Sequence, residues 1–263
     1  MDRNKNISLV IRRLLAEHPD AVGYTIPTSL SERQYMLRAL LNVRAPKPAD
    51  DELLATQDLE LQAQLADKGI VRIEDIAPSQ LDKRLYLWQG DITRLQVDAI
   101  VNAANSALLG CFVPNHRCID NAIHSAAGIQ LRLACQDIME KQGYPEPTGQ
   151  AKITPGFNLP SRYVLHTVGP IVRDGEPSKK QCEELASCYR ECLKLADKNR
   201  LQSVAFCCIS TGVFGFPQAP AAKIALSTVR EYFDNTPKTH IQTVIFNVFK
   251  DEDYEIYQRL LSR

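Results

Sequence analysis

From residue 85 onward the chain alternates short apolar, β-branched runs with stretches of helical length, and few folds accommodate that order. Strand-like runs fall at 85–88, 99–101, 163–165, 204–209 and 244–249, and helix-like stretches lie around 120–141, 178–199, 217–234 and 252–262. A strand covered on both faces reads as a continuous apolar run, and a helix between two such strands carries the chain back along the sheet. The pattern therefore predicts an α/β sandwich with helices on both faces of a mixed sheet. Ligands of such sheets sit at the carboxyl ends of the strands, in the loops that lead into the next helix. No internal repeat or low-complexity tract interrupts the alternation.

The first 80 or so residues read as helices with no strand between them. Ile7, Val10, Ile11, Leu14 and Leu15 share one face by three- and four-residue spacing, and their helix should end near His18-Pro19. Ser31 with Gln34 has the form of a capping box, and Leu30 with Tyr35 stands where a hydrophobic staple would. The helix they open runs through Leu37, Leu40 and Leu41 and cannot continue across Pro46 and Pro48, since proline lacks a donor and biases its predecessor to extended backbone. A third helix covers about 51–68, with Gly69 as its stop. Two parts are expected, a helical N-terminal extension over residues 1–80 and an α/β domain over residues 81–263.

Lys+Arg and Asp+Glu number 31 each, so there is no global basic field to hold a polyanion, and nucleic acid is not an expected partner. No apolar stretch approaches the roughly 20 residues of a membrane span, and no signal-peptide pattern opens the chain. A soluble cytoplasmic protein with no membrane partner is expected. The eight cysteines include the neighbours Cys207 and Cys208 and the helix-spaced trio Cys182, Cys188 and Cys192, which do not form a disulfide framework. Most are expected as small buried side chains.

Four strand-exit loops carry unusual residues. Gly90-Asp91-Ile92-Thr93 and Asn102-Ala103-Ala104-Asn105 are turn formers first. Chemically, Asp91 can accept from an exocyclic amine, and Asn105 offers donor and acceptor to a sugar diol. In Ser210-Thr211-Gly212-Val213-Phe214-Gly215-Phe216-Pro217, the glycines let backbone amides approach a phosphate at a helix N-terminus. Phe214 and Phe216 suit walls against a ribose or base. The loop lacks a Walker A lysine, which argues against nucleoside triphosphate hydrolysis.

The fourth loop runs from Cys111 through Pro114 and His116 to Cys118. Two thiols and an imidazole within eight residues form a zinc-type donor set, the alternative being a buried cysteine pair with a surface histidine. C-x4-H-x-C is no common structural finger, and three ligands with an open position describe catalytic zinc. Asp120 falls at the expected start of the next helix, where a cap is its simplest role. His124 and His166 read as structural.

In this order the loops resemble a macrodomain of the MacroD type. The resemblance rests on Gly90-Asp91-Ile92-Thr93, then 97–105, then Ile119-Asp120 with Ile123-His124 and Ala126-Ala127-Gly128, then 166–170, then 210–215, and it covers about residues 85–263. It implies a three-layer α/β/α fold with a mixed central sheet, preceded here by a small helical extension. The glycine-rich run that usually precedes the Asp120 equivalent is replaced by Cys111 through Cys118, as in a zinc-containing bacterial subgroup that also carries a helical N-terminal extension. By that resemblance Cys111, His116 and Cys118 hold one zinc ion with an open coordination position. Asp91, with Ile92 beside it, reads the adenine amine, and Phe249 faces the adenine. Ser210, Thr211, Gly212, Val213 and Phe214 cradle the diphosphate. Asn105 and Asp120 contact the distal ribose next to Cys118 and Ile119, and they form the catalytic pair.

The implied activity is zinc-dependent removal of mono-ADP-ribose from an Asp or Glu side chain of a modified protein, releasing ADP-ribose. Zinc can polarise an ester carbonyl or ribose hydroxyl, or lower the pKa of bound water toward about 7, and the sequence leaves both open. A reader module that binds ADP-ribose without cleaving it and a deacylase of O-acyl-ADP-ribose are the alternatives. The resemblance also points to a lipoyl-carrier protein, modified by a sirtuin-like transferase, as the substrate.

Overall fold

The computed structural model describes residues 2–18, 23–173 and 175–262. The five apolar runs become β2 (Leu85–Gln89), β4 (Ala99–Ala103), β6 (Tyr163–Thr167), β7 (Ser203–Phe206) and β8 (Thr243–Val248). They join one six-stranded sheet in the order β2-β8-β7-β4-β6-β5. Every neighbouring pair among the first five is parallel, and only β5 (Ala151–Pro155) runs antiparallel, against β6. The sheet is mixed, as the alternation predicts. Its central strands are buried on both sides, with Ile100, Val101, Val164, Leu165, Val204 and Ile245 all at 0% exposure. Helices α6 (Lys179–Lys198), α7 (Gln218–Asn235) and α8 (Asp251–Leu261) pack in a row, while α4 (Ile119–Ala127) and α5 (Ile129–Gln142) form a second group.

Two local expectations are corrected, and one strand was not foreseen. The stretch expected as one helix over 120–141 is two, split at Gly128, where φ is +94° and a Cβ would stand 2.6 Å from the Gln57 amide. The run at 204–209 leaves the ladder after Phe206, so Cys207, Cys208 and Ile209 open a loop. Strand β5 has no apolar signature, since Lys152 and Pro155 are tolerated at an edge.

The N-terminal extension is α1 (Arg3–Ala16), α2 (Leu30–Val43) and α3 (Asp51–Lys68), with Gly69 ending α3 at φ +75°. Of the expected end of the first helix, Pro19 lies outside the described residues. Two overlapping capping frames exist in the sequence, and the structure uses Ser29 with Glu32, not Ser31 with Gln34. A carboxylate in the first turn is the better partner for the positive helix end. Leu30 and Tyr35 consequently lie inside the helix and form no staple; Tyr35 is 67% exposed. The extension is also not strand-free, because β1 (Val71–Arg72) pairs in parallel with β3 (Leu95–Gln96).

Ile7, Val10, Ile11, Leu14, Leu37, Leu41, Leu53 and Leu61 make a second hydrophobic cluster, completed by Ile129 of α5. Polar contacts fix the docking. Gln57 Oε1 accepts from Ile129 N at 2.8 Å, and Arg132 of α5 donates to the carbonyls of Leu41 and Arg44. A chain lacking residues 1–80 would expose the Ile129 face and take from Arg132 Nη1 its two carbonyl acceptors, leaving only the bond from Nε to Leu109 O. Each large apolar side chain so exposed forfeits about 1.5–3 kcal/mol. We therefore expect such a chain to melt at least about 10 °C lower, since about 3 kcal/mol suffices for that in a domain of this size. Differential scanning calorimetry would contradict this if both chains melted together.

Candidate active site

Because β2, β8, β7, β4 and β6 all run the same way, their exits collect along one edge of the sheet. Reading across β2-β8-β7-β4, that edge presents Asp91, then Phe249, then the loop 207–216, then Asn105 with the loop 104–118. Three strand intervals span about 14 Å.

At the β2 end, Asp91 caps a short 3-10 turn. Its Oδ1 accepts from Thr93 N (3.1 Å) and Thr93 Oγ1 (2.6 Å), and its Oδ2 accepts from Lys68 Nζ at 3.1 Å. Burial alone would push this carboxyl up, but the Thr93 hydroxyl and the Lys68 ammonium outweigh it and hold the pKa below the usual range. Lys68 ends α3, so the extension reaches this end of the edge. The Ile92 side chain is 1% exposed and belongs to the core, which leaves only its backbone to face a ligand. Phe249, just past β8, is 77% exposed.

The middle of the edge is a tightly braced loop. Ser210 sits at φ +65°, in the left-handed region that a non-glycine residue rarely occupies. Its buried Oγ has no partner among the described residues, and Gly169 makes room for it: a Cβ there would be 2.0 Å from that oxygen. Phe214 O accepts from Val172 N at 2.7 Å, and Phe216 N donates to Ser210 O at 3.0 Å. Thr211 and Phe214 are half-buried, while Gly212 and Val213 are exposed. Pro217 provides no side-chain cap for α7, so the amides of Gln218 and Ala219 stay available, Pro220 having none. Phe216 corrects an expectation. It is 1% exposed and packs in the core, because the bond to Ser210 O turns its ring inward.

At the β4 end Asp120 is 5% exposed, in the first turn of α4. The helix cap is not Asp120 but Cys118, whose Sγ accepts from Asn121 N at 3.4 Å. Asp120 Oδ1 accepts from Asn102 Nδ2 (2.8 Å) and Oδ2 from Asn105 Nδ2 (3.4 Å). Burial pushes the Asp120 carboxyl up to about 6 against the pull of Asn102 and Arg132. Asn102 Nδ2 also faces His166 Nδ1 at 3.2 Å, and His166 Nε2 lies 2.9 Å from Thr154 Oγ1. Asn102 and His166 are fully buried and in direct register on β4 and β6. Their part in holding Asp120 is missed by reading one as a turn former and the other as structural. Two polar residues in neighbouring apolar strands were the available signal. His124 has no hydrogen-bond partner at either ring nitrogen, and burial holds it neutral, well below its ordinary pKa.

Cys111, His116 and Cys118 come together as the spacing implies. Their donor atoms lie within 4.8 Å of one another, with Cys111 Sγ 3.7 Å from His116 Nδ1, and all three residues are half-buried. Burial, with Cys111 nearby, pushes the Cys118 thiol up to about 11, so its thiolate form calls for a strong cationic partner. Two sulfurs and an imidazole at this separation fit zinc. His124, Cys135 and His166 form a second cluster of donors, but it is wholly enclosed and both nitrogens of His166 are engaged. That cluster reads as core. Ile119 opens α4, half-buried against the main core. A surface cavity of about 510 Å³ lies at the opposite edge of the sheet, between α6 and α7, where Asp197 is already paired with Tyr232 and His240.

Residues 101–225 match the family model described as Macro domain. A relative from Treponema medium named protein-ADP-ribose hydrolase is 47% identical over 264 residues, covering 100% of this chain and 100% of that one. An Oceanobacillus iheyensis macrodomain mutant solved with ADPR is 43% identical, with TM-score 0.60, and covers 66% of this chain and 90% of its own. A Trypanosoma brucei macrodomain in complex with ADP-ribose is 32% identical, with TM-score 0.65, over 89% of this chain and 96% of its own.

Proposed function

Since the chain belongs to the macrodomain family, we propose that it is a zinc-dependent hydrolase that removes mono-ADP-ribose from an Asp or Glu side chain of a modified protein and releases ADP-ribose. The observation that supports this best is the order of groups along the strand-exit edge. An ionised acceptor, an exposed aromatic ring, a braced amide-rich loop, an Asn/Asp pair and a cysteine-histidine cluster follow one another. That is the order of an adenine amine and ring, a diphosphate, a distal ribose and a scissile bond.

In this reading Asp91 accepts from the adenine amine, with the Ile92 backbone beside it, and the Phe249 ring lies against the base. Ser210, Thr211, Gly212, Val213 and Phe214 hold the diphosphate. Asn105 and Asp120 hold the distal ribose beside Cys118 and Ile119, which makes attack effectively intramolecular. Asp120, screened from solvent, accepts the proton of the attacking water, and the bond from the ribosyl group to the protein carboxyl oxygen breaks. Cys111, His116 and Cys118 would hold the zinc ion, which when bound supplies Lewis acidity to the reacting oxygens. Residues 81–263 carry the site, and residues 1–80 support it.

No helix among the described residues is long and apolar enough to cross a membrane. The reduced cysteines that a zinc site demands favour the cytoplasm. A lipoyl-carrier protein modified by a sirtuin-like transferase is the partner we carry from the family resemblance. A reader module would bind ADP-ribose but release none from a modified protein. A deacylase of O-acyl-ADP-ribose would turn that ester over faster than the protein substrate.

Calorimetry should find ADP-ribose binding at submillimolar concentration or below. Asp91→Ala should weaken it about 10- to 100-fold, because a hydrogen bond to a charged acceptor is worth about 1.5–3 kcal/mol. Absence of binding by the wild type would overturn the assignment of the cleft.

A further inference from the structure

We infer that α2 of the N-terminal extension is the outer support of the metal loop, with Arg38 and Asn42 as positioning residues that set where the Cys111, His116 and Cys118 donors stand. The inference rests on the zinc assignment made above and explains why the helical extension accompanies the cysteine-histidine loop in this chain.

The loop 104–118 contains no helix or strand, so its own backbone cannot fix three ligands. The fixation comes from outside. Arg38 Nη2 donates to His116 O at 3.1 Å, and Asn42 Oδ1 accepts from Asn115 N at 2.9 Å. Asn115 is at φ +54°, so this bond pins the left-handed residue that turns the chain into His116. Arg38 Nε and Nη2 also donate to Asn121 Oδ1, at 3.2 and 2.8 Å.

That last contact settles which way Asn121 faces. A guanidinium has donors only, so it draws the amide oxygen toward itself and leaves Nδ2 for carbonyls. Asn121 Nδ2 accordingly donates to Val113 O (3.0 Å) and Cys111 O (3.5 Å), and Asn121 N donates to Cys118 Sγ (3.4 Å). Each of the three donor residues is thereby tied, directly or through Asn121, to one face of α2, Cys111 and His116 by their carbonyls and Cys118 by its sulfur. Asn121 is 0% exposed and Asn42 1% exposed, so water does not readily substitute for these bonds. Groups that orient metal ligands from outside the coordination sphere typically govern affinity by about 10- to 100-fold.

The test uses the full chain with Arg38→Met, Asn42→Ala and, as a control, Gln57→Leu. Gln57 is as buried as Asn42 and also joins the extension to the domain, but through Ile129 N and Gln130, away from the metal loop. Zinc affinity is measured by competition with a chromophoric chelator, and ligand geometry by the absorption bands of the cobalt-loaded protein. Arg38→Met and Asn42→Ala should bind zinc about 10- to 100-fold more weakly and shift the cobalt bands, with ADP-ribose affinity of the metal-free protein unchanged. Gln57→Leu should lower the melting temperature and leave both metal readouts at wild-type values. Wild-type zinc affinity in both Arg38→Met and Asn42→Ala overturns the inference, as does an equal loss in Gln57→Leu. A wild type that holds no zinc overturns the metal assignment itself, and is told apart because no variant is needed to see it.

Discussion

Cys111→Ala is expected to lose zinc and hydrolysis together, with ADP-ribose release falling about 1000-fold or more, while affinity for ADP-ribose stays within a few-fold of wild type. A loss of about 4 kcal/mol of transition-state stabilisation gives that factor, and Lewis-acid assistance is worth several kcal/mol. Binding survives because Asp91 at the β2 exit and the Ser210 loop at the β7 exit are built without any contact to Cys111. Elemental analysis should find about one zinc per wild-type chain and none in the variant. Cys118→Ala should lose zinc equally but melt lower as well, since its sulfur also caps α4. A structural metal would behave otherwise: both variants would lose melting temperature and ligand binding along with activity. Full-rate ADP-ribose release by metal-stripped wild type would exclude a catalytic metal and return the main catalytic role to Asp120.

Asp120→Asn should lower kcat by about 100- to 10000-fold, the range for removal of a positioned general base, with KM little changed. The exchange conserves shape and keeps an oxygen for the Asn102 amide. Its stability effect has the opposite sign. The folded-state pKa of this carboxyl, about 6, stands above the ordinary value of 3.8, so the fold favours its protonated form. The contribution is present below about pH 4 and is lost as pH rises through about 6, amounting to about 3 kcal/mol by pH 7. Metal-free Asp120→Asn should therefore melt above metal-free wild type at pH 7, and the gap should close toward pH 4. Thermal melts of both proteins across that range measure it. A gap that does not change with pH would mean that Asp120 is not titrating there.

The parallel strands were legible because strands covered on both faces must be apolar throughout, and the clustering of Cys111, His116 and Cys118 was legible because they are close in sequence. What could not be read depends on partners far along the chain. Gly128 looks like any helix-stopping glycine until Gln57 is seen occupying the space a Cβ would need. Phe216 looks like a pocket wall until the bond from its amide to Ser210 turns the ring into the core. Arg38 and Asn42 look like the polar side of an amphipathic helix, and only the docking of α2 beside α4 brings them to Asn121 and Asn115. Asp120 was legible as a residue but not in its setting: a simple cap would be wet, whereas Cys118 takes the cap and leaves Asp120 enclosed.

Strand β2 delivers Asp91 to the edge and pairs within the central sheet only with β8, the last strand of the chain. A nascent polypeptide on the ribosome can therefore pair β4 with β6 well before β2 has a partner in the sheet. Asp91 comes into register only when residues 243–248 have emerged. Chains cut short within the final strand would keep every residue from Asp91 to Phe214 and still lack the partner that sets Asp91 in register.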